Sequence, residues 1–186
     1  MSGPWNELLP TSAEICGKQY TIRSDYRAVL DILAVLHDPE LDGQAQSEFA
    51  LEIFYPDFDT MPPGHYDEAL CTCLEFINGG EEKTPEKSPR LVDWEQDFQY
   101  IVAPINRVTG TEVRAIEYMH WWTFLAAYYE IGDCTFAQIV RIRDSLTRGK
   151  RLDKSDQEWY RKNRHLVDFK QKYTEQEDEA LSRWLR

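Results

Sequence analysis

Apolar positions recur at helical spacing over most of the chain, and at strand spacing only near its start. Ala13–Cys16 and Gln19–Ile22 are short alternating runs flanking Gly17-Lys18, a pattern that predicts a β-hairpin with a type II′ turn. Ser24 or Asp25 then caps a helix running to about Leu36, with Val29, Leu33 and Leu36, joined by Leu30 and Ile32, on the 3.6-residue period. Pro39 bars its continuation. A shorter helix is predicted over Ser47–Tyr55, followed by a loop rich in breakers from Pro56 to Gly64. Tyr66, Ala69, Leu70, Cys73, Phe76 and Ile77 form the stripe of the next helix, which stops at Asn78-Gly79-Gly80.

Residues 79–90 are polar and hold two Gly and two Pro, so they read as a flexible linker between an acidic part at 1–78 and a helical core at 91–186. Asp93 and Gln96 have capping spacing and open a helix carrying Trp94, Phe98, Ile101 and Ile105, which Pro104 should kink or end. Two helices separated by Gly132 then organise the pattern: Glu112–Ile131, with Thr109 and Glu112 at capping-box spacing, and Thr135–Arg148, with Asp133 as its cap and Gly149 as its stop. Tyr118–Tyr129 carries no charge and is apolar on nearly every side, which predicts a central buried helix. It is too short for a bilayer, which needs about 20 apolar residues. Trp121 and Trp122 project about 100° apart and cannot share one pocket, and Trp122 is the one expected in the core. Ser155 with Glu158, and Thr174 with Glu177, read as capping boxes for two further helices, the first carrying Trp159 and Tyr160 and the second Leu181, Trp184 and Leu185. The fold class is therefore mainly α, a helical bundle-like core with a small N-terminal β-hairpin. The expected core aromatics are Trp94, Phe98, Trp122, Phe124, Phe136 and Trp159.

Composition adds plentiful aromatics at 13%, with six Trp among 186 residues. No N-terminal basic and apolar pair of regions marks a secretory signal, and no stretch is long enough to span a membrane, so a cytoplasmic protein is expected. Four cysteines without a CxxC pair, and four scattered histidines, favour free thiols over a disulfide scaffold or a zinc site. The net charge of −12 is placed unevenly. Between Arg27 and Lys83 lie 13 acids and no Lys or Arg, whereas Arg141–Arg164 holds nine bases against four acids. Such a split suggests self-association or a basic partner, unless both stretches are merely solvated faces.

Chemistry is hard to find. The chain lacks a dinucleotide fingerprint, a phosphate-binding P-loop, an HExxH pair and a nucleophile elbow. Asp57-Phe58-Asp59 lacks the spacing of a calcium loop, and Pro56-Asp57 with Asp168-Phe169-Lys170 would need strands beneath the carboxylates to act as a nuclease. His120 reads as a satisfied core histidine. The expectation is no enzyme, no metal and no cofactor. The basic residues Arg141, Arg143, Arg148, Lys150, Arg151, Lys154, Arg161, Lys162 and Arg164, beside Trp159 and Tyr160, form the candidate association patch. Aromatics between cations also suit nucleic acid, but an acidic chain is the opposite of the usual binder.

Several strings occur together and in order: His120-Trp121-Trp122-Thr123-Phe124-Leu125, then Phe136-Ala137-Gln138-Ile139-Val140-Arg141-Ile142-Arg143, then Gly149-Lys150-Arg151-Leu152-Asp153-Lys154 and Glu158-Trp159-Tyr160-Arg161-Lys162-Asn163. In these the chain resembles the bacteriophage gp-fifteen family of siphophages and prophages of Gram-positive bacteria, most closely from about Trp94 to Val167. The resemblance implies a gene among tail genes beside the tape-measure gene, and hence a tail assembly chaperone that binds the tape-measure protein and recruits tail-tube protein. A structural tail or neck component, or a nucleic-acid-binding accessory protein, are the alternatives it leaves. The motifs are of a kind that builds a fold, and they point to no catalytic residue.

Overall fold

The computed structural model describes residues 8–80 and 89–170. Strands β1 (Ser12–Ile15) and β2 (Lys18–Thr21) pair antiparallel with Ile15 opposite Lys18. The turn is Cys16-Gly17, one residue earlier than the pattern indicates, and both residues have positive φ (50° and 75°). That is the backbone of a type I′ turn, which matches the strand twist, and not of the expected II′.

Asp25 caps α1 (Tyr26–Val35) through its carboxylate, which accepts from the Arg27 N–H. Helix α2 spans Gly43–Phe54 and starts earlier than predicted because Asp42 caps it, accepting from Gln44 and Ala45. Two single 3₁₀ turns at Phe58–Thr60 and Pro63–His65 lead into α3 (Tyr66–Ile77). Asp93 caps α4 (Trp94–Thr109) by accepting from Glu95 and Gln96. This helix continues past Pro104 to a left-handed Gly110, so the proline neither ends it nor stops its burial. A proline removes only one helical hydrogen bond, and the buried neighbours Ile101, Val102 and Ile105 hold the turn around it.

The predicted long helix over 112–131 is not formed. Helix α5 spans only Trp121–Tyr129. The preceding residues are bonded elsewhere. Asn106 accepts from the Val113 N–H (2.8 Å) and donates to Glu112 (2.8 Å). The Met119 N–H donates to Asp25 (3.0 Å), Tyr26 donates to the Met119 carbonyl, and the Trp121 N–H donates to Ser24 O (2.7 Å). Backbone groups satisfied by another segment have no need of a helical turn. His120 finally caps α5, its Nδ1 accepting from the Trp122 N–H (3.0 Å) while Nε2 lies 3.0 Å from the Pro10 carbonyl.

Helix α6 (Thr135–Thr147) is capped by the Cys134 sulfur, which accepts from Ala137, and not by Asp133. Helix α7 (Lys154–Lys162) is capped by Asp153, two residues before the expected Ser155, and a single turn, α8 (Arg164–Val167), follows. The helix predicted beyond Thr174 lies outside the described residues, as do positions 81–88 of the expected linker. The molecule is mainly α, with one two-stranded sheet among the described residues. One core joins both sides of 79–90, since Ile15, Val29, Phe54 and Cys73 share it with Ile101, Ile105, Trp121 and Phe124. No helix among the described residues is long and apolar enough to cross a membrane.

Candidate functional site

The two adjacent tryptophans of α5 close the C-terminal end of α3. A helix leaves its last carbonyls without partners. Trp121 donates its indole N–H to Ile77 O (2.9 Å), and Trp122 donates to Phe76 O (2.9 Å). The chain then leaves α3 through Gly79 and Gly80, at φ 78° and 82°. These glycines lie directly on α5: a Cβ on Gly80 would sit 3.0 Å from the Trp122 ring, and one on Gly79 3.3 Å from Leu125. Both the left-handed backbone and the close approach require glycine here.

Trp121 is the buried member, 1% exposed and packed against Phe124 and Trp94. Trp122 is half-buried, with one side against Phe76 and His120. This reverses the expectation that Trp122 fills the core. Its outer side opens onto a groove of about 280 Å³, bounded by Trp122, Leu125, Ala126 and Tyr129 on α5 and by Asn78 and Gly79 across from them. The four α5 residues fall at i, i+3, i+4 and i+7, one helix face. Tyr129 is 67% exposed, and Leu74, one turn before Asn78 on α3, is also exposed. Of the other expected core aromatics, Phe124 and Phe136 are buried, and Trp94, Phe98 and Trp159 are half-buried.

The nine basic residues do not form one surface. Arg143 is buried at 3% exposure and pairs in fork fashion with the fully buried Asp97, at 2.5 and 3.0 Å. Its remaining N–H groups donate to the carbonyls of Val167 (2.6 Å), Leu91 (3.0 Å) and Leu166 (2.9 Å), and its guanidinium lies 4.2 Å from the Phe169 ring centre. Gln96 reinforces the join, donating to Asp168 O (3.0 Å) and accepting from the Lys170 N–H (2.9 Å). Arg143 thus holds α4, α6 and the end of α8 together and leaves the association patch. Arg141, Arg148 and Arg164 are exposed and paired with Asp156, Asp144 and Asp168. Lys150, Arg151, Lys154, Arg161 and Lys162 are exposed and in no ion pair among the described residues. Trp159 and Tyr160 pack on a small second cluster of Ile142, Leu152 and Val167. The Tyr160 hydroxyl donates to Asp168 (2.7 Å), and this bond raises its pKa.

Two of the four cysteines, Cys16 and Cys73, have raised thiol pKa values. Burial pushes the Cys73 thiol up to about 12. Cys16 donates its thiol to Glu68 (3.1 Å), which raises its pKa and makes it a weaker nucleophile. No group of three or more His, Cys, Asp or Glu among the described residues is placed to hold a metal ion.

A family model described as Bacteriophage Gp15 protein matches residues 5–169. The chain belongs to this family. It is the family that the tryptophan and basic motifs resemble, and the match takes in every element from β1 to α8. No curated protein and no solved structure matches the chain. Within this Gp15 member, two features escaped the sequence. Asp97 is not singled out by the hydrophobic pattern of α4. Only its spacing, four residues after the cap Asp93, whose N–H it accepts (2.9 Å), sets it apart. The groove gave a stronger signal, because Ala126 and Tyr129 follow Trp122 at helical spacing and Asn78-Gly79-Gly80 marks the facing helix end.

Proposed function

We propose that this protein is a tail assembly chaperone that works in the host cytoplasm by binding the tape-measure protein of its phage, with tail-tube protein as a second client, and that it acts by binding and not by catalysis. The observation that carries this reading is the open apolar groove along α5, rimmed by Trp122, Leu125, Ala126 and Tyr129. A groove of this kind accepts the apolar face of an amphipathic helix. A long tape-measure helix made before its tube exists exposes such a face and aggregates unless it is covered. Membership of the Gp15 family supports a phage role, and the tail-gene setting implied by the resemblance supplies the client.

The test is co-expression of the full chain with the tape-measure protein, scored by tape-measure solubility and co-purification. Ala126→Glu and Tyr129→Glu place charge in the groove at exposed positions and should abolish co-purification while the chain stays folded. If the tape measure is equally insoluble with and without this protein, and mass spectrometry finds the protein in purified virions, a structural tail or neck component replaces the chaperone.

A further inference from the structure

The charge on this molecule is divided between surfaces built from different elements. From Ala28 to Gly80 there are 11 acids and no Lys or Arg. On α2, Glu48 and Glu52 are exposed and one helical turn apart, turned away from the buried Ala50, Leu51 and Phe54. On α3, Asp67 and Glu75 are likewise exposed, opposite the buried Ala69, Cys73 and Phe76. Helices α2 and α3 pack on each other, and α2 packs on α1, whereas α6 packs on α4 and α8. No acid of α2 or α3 is in an ion pair among the described residues, and Arg23, at the end of α2, spends its guanidinium on the Glu52 and Ile53 carbonyls.

The opposite surface lies at the α6–α7 turn. Lys150, Arg151 and Lys154 are exposed there and in no ion pair among the described residues, and Arg161 and Lys162 are in the same condition at the end of α7. Three acids, Asp153, Asp156 and Glu158, lie among these five cations, and two of the three are already engaged. Asp153 accepts from the Asp156 N–H at the α7 cap, and Asp156 is paired with Arg141. Uncompensated cations on a chain of net charge −12 are drawn to an uncompensated acidic face, and this chain carries one itself.

We propose that the basic α6–α7 face of one copy docks on the acidic α2–α3 face of a second copy. The contact joins two different surfaces: repeated head to tail it gives open chains or a ring, and made twice about a two-fold axis it gives a closed dimer. A symmetric dimer through either face alone would set like charges against each other. The inference does not depend on the tape-measure reading, because it uses neither the groove nor a client.

The experiment is sedimentation velocity on the full chain, freed of nucleic acid, over a range of protein concentration and salt. Association should appear at low salt and weaken at least tenfold from about 0.1 M to about 1 M salt, over which the screening length shrinks from about 10 Å to about 3 Å. Two charge-reversed chains give the sharper result, each checked for folding by circular dichroism and melting temperature. One carries Lys150→Glu, Arg151→Glu and Lys154→Glu, the other Glu48→Lys, Glu52→Lys and Asp67→Lys. Each alone should be monomeric, and an equimolar mixture of the two should associate again, since each supplies the face the other lacks. A monomeric wild type at all concentrations, association indifferent to salt, or a mixture that stays monomeric overturns the proposal. So does a monomeric wild type whose basic face shifts a labelled DNA duplex, a shift lost with Lys150→Glu, Arg151→Glu and Lys154→Glu, which would assign that face to nucleic acid.

Discussion

The α3–α5 junction and the α4–α6–α8 clasp meet the same need by different chemistry. In each, side-chain N–H groups satisfy backbone carbonyls at the end of a helix: Trp121 and Trp122 for Ile77 and Phe76, Arg143 for Leu166 and Val167. The indoles are neutral and bring a large apolar area with their single donor. The guanidinium offers five donors and a charge, and it is stable in the interior only because Asp97 is buried against it. The junction therefore fails gradually as packing is removed. The clasp fails abruptly, because loss of one partner strands the other's charge.

The largest effect should come from breaking the clasp on one side. Arg143→Met leaves Asp97 fully buried and unpaired, and should cost about 3–5 kcal/mol in denaturant unfolding. Adding Asp97→Leu to it should return a large part of that loss, which separates a stranded charge from lost packing. Arg141→Ala, two residues away on the exposed side of α6, should cost under about 1 kcal/mol. Equal costs for the two arginines would refute the contrast.

Next come the tryptophans. Trp121→Ala should cost about 3–5 kcal/mol, as expected for a large buried aromatic. Trp122→Ala should cost less, about 1–2 kcal/mol, since its ring is only partly buried and borders the groove. A larger loss at Trp122 in thermal or denaturant melts would put the core on the wrong indole.

A smaller effect is expected at the turn lying on Trp122. Gly80→Ala meets both a left-handed backbone and a ring at 3.0 Å, and should destabilise by about 1–3 kcal/mol. Gly17→Ala is a control with similar φ and open space around it, so any excess at Gly80 measures the contact with Trp122.

The smallest effect concerns an exposed counterpart of the clasp, the Glu112–Arg114 pair at 2.7 Å. Its hydrogen bonds to Arg114 hold the Glu112 carboxyl down at about 2, against an ordinary 4.5. A depressed carboxyl contributes stability above its unfolded value, and that contribution is lost as pH falls from about 4.5 through about 2. Titration of Glu112 by NMR should give a midpoint well below 4. An ordinary midpoint would show that water screens this pair completely.

Much of the fold was legible before any coordinates, because caps and helical periods are local properties. Asp25 and Asp93 cap where the residue pattern indicated, and α3 ends at Asn78-Gly79-Gly80. The misreadings share one cause, which is competition from distant partners. The 110–120 segment has a helical pattern, yet its donors and acceptors are taken by Ser24, Asp25, Tyr26 and Asn106. The sequence pattern favoured Trp122 for the core, yet Trp121 is the buried one, because burial was decided by which side of α5 meets Trp94 of α4.

The sequence by itself determined the helical class, the hairpin, the family likeness and the division of charge, since each is written in residue identity and short-range spacing. The tertiary structure alone decided that Arg143 leaves the basic surface for Asp97, and that Asn78 and Gly79 form a groove with one face of α5. Both outcomes depend on residues 46 positions apart in sequence being brought within contact (Asp97 with Arg143, and likewise Gly79 with Leu125). Only the packing of α3, α4, α5 and α6 sets those distances.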